Sequence, residues 1–118
     1  MEGQAERDAG ALARTNTQVV FMTAPNAEVA EQVVRALVTE RLAACGNIVP
    51  GVTSIYRWQD EVQRDAEVLV ILKTDGRAVD AMIRRAAELH PYEVPELLAV
   101  EVVKGFGPYM DWVASSSE

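Results

Sequence analysis

The chain has 118 residues, 49% of them hydrophobic and 25% charged, the composition of one folded domain with one core rather than of a disordered chain. Its 18 acidic and 11 basic residues give a formal net charge of −7, which repels phosphate backbones and anionic lipid and makes nucleic acid and membranes poor partners. The longest apolar runs, such as Val68–Leu72, are too short to span a bilayer, residues 1–16 hold no apolar signal-peptide segment, and the single cysteine, Cys45, fits a reducing compartment, so a cytoplasmic location is expected.

Residues 1–16 carry no β pattern and only a faint helical one, and are expected to be a flexible leader. Residues 115–118 are a polar tail, which leaves 17–114 as the domain. The β-branched and aromatic run Gln18–Thr23 predicts a buried strand. Asn26 is a good N-cap, and Ala30, Val33, Val34 and Leu37 follow it at i, i+3, i+4, i+7, which predicts an amphipathic helix from Ala27 to about Leu42. A long extended stretch from Cys45 to about Gln59 is interrupted by Pro50-Gly51, the signature of a bulge or kink. A second runs from Glu61 to Lys73 and ends in the apolar block 68–72 of a central strand. Asp75 is placed to cap a second helix, striped by Val79, Met82, Ile83 and Ala86 and stopped at His90 by Pro91. Leu97–Val103 predicts another strand, Gly105–Pro108 a turn, and Tyr109–Ala114 a short terminal helix begun by Pro108. The order β-α-β-β-α-β predicts an α+β, ferredoxin-like sandwich, with both helices on one face of an antiparallel sheet.

The central hairpin is too long for that sandwich. A 16-residue helix is about 24 Å long and needs a strand of only about 7 residues to match it. Strands over 48–60 and 61–74 would each reach about 43 Å. The excess must project, with Tyr56 and Trp58 on one face near its tip, and an isolated two-stranded ribbon is marginal in water. Pairing with another copy satisfies it better than folding back.

No catalytic constellation emerges. There is no Cys-x-x-Cys, no glycine-rich phosphate loop, no Arg in Thr23–Asn26 to hold a phosphate, and no stacking aromatic in 67–73 for RNA. Cys45 lies in an apolar, small-residue segment typical of a packed thiol, and His90 continues the apolar stripe of the second helix. No catalytic residue is assigned, and the chain is expected not to be an enzyme.

The segment Arg41–Trp58 (RLAACGNIVPGVTSIYRW) resembles the identifying stretch of the CutA (divalent-cation tolerance) family, as do Val70–Thr74, His90–Glu96 and Tyr109–Trp112. The resemblance runs from about 18 to 114. It implies a homotrimer in which long hairpins pair between subunits, a role in tolerance to divalent cations, especially copper, and no required cofactor. The family trimer also resembles PII signalling proteins, which implies, as the alternative, a small-ligand module or a structural scaffold. Its interface pocket would be built from Tyr56, Trp58, Tyr92, Pro95 and Glu96. Copper ligands of bacterial members fall on Met22, Leu89 and His90 of this chain, so any copper or other divalent-cation site is expected to be weak, centred on His90 with Met22 as a thioether partner.

Overall fold

A computed structural model describes residues 12–13 and 16–117. Its main body is a four-stranded antiparallel sheet of β2 (Thr17–Ala24), β3 (Cys45–Trp58), β4 (Glu61–Asp75) and β5 (Leu97–Glu101), in the order β3-β4-β2-β5. That order places the first and third strands at the centre, the ferredoxin-like topology. Helices α1 (Ala27–Thr39) and α2 (Val79–Leu89) lie on one face of it. Val20, Met22, Val70 and Leu72 point from the central strands into a core with Ala30, Val33 and Leu37 of α1 and Met82 and Ala86 of α2. The two helical stripes read from the sequence are the buried stripes.

The sequence boundaries shift in five places. Helix α1, expected to reach Leu42, ends at Thr39. Arg41 turns into the left-handed region at φ 62, the Leu42 N–H reaches back to the Leu37 carbonyl and the Arg41 N–H to that of Val38, a Schellman ending made without glycine. Asp75 does not cap α2, which starts at Val79 with no side-chain cap. Its buried carboxylate instead accepts from the Arg77 backbone N–H at 2.9 Å and from Arg77 Nε at 2.7 Å. Strand β5 stops at Glu101, and Gly105–Phe106, expected as a turn, forms a short strand β6 against β1 (Leu12–Ala13). Most of the expected leader lies outside the described residues, but Leu12–Ala13 supplies that pairing. The terminal helix α3 (Gly107–Ser116) runs two residues past the expected domain end. Arg77 donates to the Ala114 carbonyl at 3.0 Å and Arg41 to that of Ser115, so guanidinium groups satisfy carbonyls that the helix end leaves without partners.

The hairpin is as long as the sequence required. At about 3.3 Å per residue the 14 residues of β3 span roughly 46 Å, against about 20 Å for the 13 residues of α1. The molecule is accordingly elongated, 60 × 26 × 22 Å. Gln59 and Asp60 close the hairpin, both at positive φ (50 and 66), the two-residue geometry whose twist matches the strands.

Candidate functional site

The second face of the sheet carries no helix pair. Paired residues share a face, so Val19 and Phe21 lie with Leu69 and Ile71, with Val49 of β3, and with Leu98 and Val100 of β5. Val49, Leu98 and Val100 are exposed, and the patch crosses all four strands. It extends into the hairpin because of one irregularity. Val49 pairs with Leu69 and Val52 with Glu67, so Pro50 and Gly51 together oppose a single residue of β4. Gly51 sits at φ 81, where a β-carbon would be strained, and it makes this bulge possible. The extra residue reverses the alternation of β3. Before the bulge the odd residues face the open side; after it Val52, Ser54, Tyr56 and Trp58 do. The two aromatics therefore share the face of the apolar patch.

From the foot of the hairpin, where α2 hands the chain to β5, a groove of about 620 Å³ runs along β3 toward the tip. Its wall includes Thr23 of β2, Tyr56 and Trp58 of β3, Glu67 of β4, and Tyr92, Glu93, Val94 and Glu96 of the connecting loop. His90 sets the course of that loop. Its Nδ1 accepts the Tyr92 backbone N–H at 3.1 Å, which places its proton on Nε2, 2.8 Å from the Thr23 carbonyl oxygen. The ring is buried and lies 4.7 Å, centroid to centroid, from that of Tyr92. Tyr92 then reaches over the sheet edge to donate its hydroxyl to Glu67 Oε2 at 2.7 Å, and Tyr56 donates to Asp65 beside it. Burial, and then the Glu67 carboxylate, push the Tyr92 hydroxyl well above the ordinary phenol range. Tyr56 is raised too, chiefly by its hydrogen bond to Asp65.

Five residues singled out in the sequence thus meet different fates. Tyr56, Trp58, Tyr92 and Glu96 converge on the groove; Pro95 is half-buried next to it without lining it. Glu67, Glu93 and Thr23 also line it, and of these Glu67 was the least visible, because it reads as the charged flank of an apolar strand. Its pairing with Val52 across the bulge is the signal that places it inward. The metal candidates offer no free donor. Both nitrogens of His90 are engaged, and Met22 is sealed in the core facing the helices. Among the described residues no three His, Cys, Asp or Glu side chains are grouped to hold a metal ion. Cys45 and His90 are not partnered: Cys45 Sγ lies 3.6 Å from the Tyr109 hydroxyl at the other end of the domain.

The family of CutA1 divalent ion tolerance proteins matches residues 18–116, nearly the whole described domain. The chain belongs to this family. A divalent-cation tolerance protein CutA of Thermus thermophilus is 49% identical over 100 residues, 85% of this chain and 97% of that protein. Human protein CutA is 42% identical over 103 residues, which make up 87% of this chain but only 58% of the longer human protein. Among solved CutA structures, that from Xylella fastidiosa superposes with a TM-score of 0.86 at 38% identity, covering 88% of this chain and all of the other. One from Archaeoglobus fulgidus, described as a periplasmic divalent cation tolerance protein, gives 0.83 at 27% identity, covering 86% of this chain and 99% of that one. The likeness to other CutA proteins spans the sheet, both packed helices and the long hairpin. No helix among the described residues is long and apolar enough to cross a membrane.

Proposed function

We propose that the chain is a non-catalytic, cytoplasmic homotrimer that acts in divalent-cation tolerance, with the groove at the hairpin foot as its ligand cleft. The observation that carries this reading is the apolar face of the sheet, where Val49, Leu98 and Val100 are exposed, continued onto the hairpin by the exposed rings of Tyr56 and Trp58. Apolar area of that extent is removed from water most economically by copies of itself, and rotational symmetry lets every copy use both its face and its hairpin. The number three comes from the family resemblance. This reading needs no cofactor, and any weak binding of copper or another divalent cation would come from groups other than His90, whose ring nitrogens are both engaged. The groove itself favours a second reading, a PII-like module that binds a small ligand beside the interface.

Sedimentation at micromolar concentration tests assembly, and calorimetric titration with copper, zinc and nucleotides tests the cleft. A stable monomer would refute the first reading. Tight nucleotide binding would move the assignment to the second, and a trimer that binds none of the three would leave a structural scaffold.

A further inference from the structure

At one step of the chain, Asp75-Gly76, and nowhere else in it, an Asp or Asn precedes glycine. Such a step is chemically labile in a free chain. Glycine has no side chain to shield its amide nitrogen, which attacks the carboxyl carbon of the preceding side chain. The new N–C bond closes a succinimide ring, and the displaced oxygen leaves as water with the amide proton and a proton from solvent. Water then opens the ring at either carbonyl. One opening restores aspartate; the other leaves the backbone running through the side chain, as isoaspartate. Nothing is oxidised or reduced, and the mass is unchanged.

The fold asks for both residues. A β-carbon at Gly76 would lie 3.2 Å from the Asn16 carbonyl oxygen, closer than side chains ordinarily pack. Asp75 ends β4 opposite Thr17, and its Oδ2 accepts the Arg77 backbone N–H at 2.9 Å and Arg77 Nε at 2.7 Å.

The same contacts remove the freedom that the reaction needs. The attacking nitrogen of Gly76 gives its proton to the Asn16 carbonyl at 2.7 Å. On the other side of that peptide group, the Asp75 carbonyl accepts the Ala78 N–H at 2.9 Å, so the peptide plane is held at both ends. Asp75 is 4% exposed, and the guanidinium that pins its carboxylate is itself fixed by a 3.0 Å bond to the Ala114 carbonyl.

We propose that Asp75-Gly76 is this chain's site of spontaneous isomerisation, held shut in the folded state by the Arg77 guanidinium and the Asn16 carbonyl. Isomerisation adds a methylene to the backbone at the joint between β4 and α2 and moves the carboxylate off its place beside Arg77. An altered chain therefore cannot rebuild the latch. The inference is independent of the ligand cleft and of assembly, because every group in the latch belongs to one chain.

The test ages the full chain at neutral pH, folded in buffer and unfolded in guanidinium chloride. Isoaspartate is read by mass-spectrometric fragmentation of the tryptic peptide Thr74–Arg77. Reaction through a locally opened state is slowed by the opening equilibrium, so the folded chain should isomerise at least about tenfold more slowly than the unfolded one. Arg77→Ala, shown to be folded by circular dichroism, should isomerise several-fold faster than the wild type in buffer. Arg77→Lys, which keeps the charge but loses the Nε donor, should also be faster and decides the question if Arg77→Ala does not fold. Gly76→Ala should suppress the reaction in denaturant. Equal rates in buffer and denaturant would overturn the latch, and equal rates in the wild type and a folded Arg77 variant would remove the guanidinium from it. An unfolded chain that forms isoaspartate elsewhere but not at Asp75 would overturn the site.

Discussion

His90 Nε2 lies 2.8 Å from the carbonyl oxygen of Thr23, and this contact fastens the 91–96 loop to the end of β2. Replacing His90 by Ala leaves that carbonyl and the Tyr92 N–H without their partner. Leaving a buried group unsatisfied costs about 1–3 kcal/mol, so the denaturation midpoint of His90→Ala should fall. Because both ring nitrogens are engaged in the wild type, copper titration of the two proteins should give the same curve. A copper transition present in the wild type and lost in His90→Ala would return the ring to the metal account.

Trp58 is 43% exposed near the tip of a ribbon and shares its face with Tyr56. Burial against another copy would make it a principal contact, and removing a packed Trp usually costs ~3–5 kcal/mol. Trp58→Ala should shift sedimentation toward smaller species at micromolar concentration and leave the far-ultraviolet circular dichroism of each subunit unchanged. An unaltered sedimentation profile would place the interface elsewhere.

At the opposite end half-buried Cys45 meets the hydroxyl of Tyr109, a residue that stays 42% exposed. Burial, and then the hydrogen bond with Cys45, push the Tyr109 hydroxyl from 10.0 up to about 12. The folded chain therefore holds that proton more tightly than the unfolded chain does. The associated stability is complete below pH 10 and drains away as pH rises toward 12. Tyr109→Phe should flatten the alkaline limb of the stability–pH curve and leave neutral pH unaffected by titration. Alkylation of Cys45 should be slow in the native protein beside the denatured chain, and Cys45→Ala should not alter ligand binding.

Gly46 marks the closest approach of β3 to α1. A β-carbon there would lie 2.9 Å from Leu72 Cδ2 and 2.9 Å from Val34 Cγ1. Gly46→Ala overpacks the core and should lower stability by about 1–3 kcal/mol, read from chemical denaturation. A neutral result would mean that α1 shifts outward freely.

The helices were legible because a period of 3.6 is carried by the residues themselves: Ala30, Val33 and Leu37 declare their face without knowledge of the sheet. The length of the hairpin was legible for the same reason, as was the bulge at Pro50-Gly51. What was hidden depended on partners distant in sequence. Arg41 gives no local sign of a left-handed ending, and its position is fixed by where Leu42 must go. Gly105-Phe106 reads as a turn until Leu12–Ala13 arrives to pair with it. Glu67 looks like a surface charge until Tyr92, 25 residues on, closes over it.

The bulge at Pro50-Gly51 also constrains how this protein can drift over evolutionary time. Side chains of β3 beyond Gly51 owe their facing to one extra residue, so losing or gaining a single residue between 49 and 58 would invert that whole arm. Paired insertions or deletions preserve its parity, and lengthening both arms of the hairpin by two residues each adds one more rung with every face intact. Variation in the length of this arm among descendants should therefore come in even steps per strand, whereas substitutions at its exposed positions remain free to accumulate one at a time.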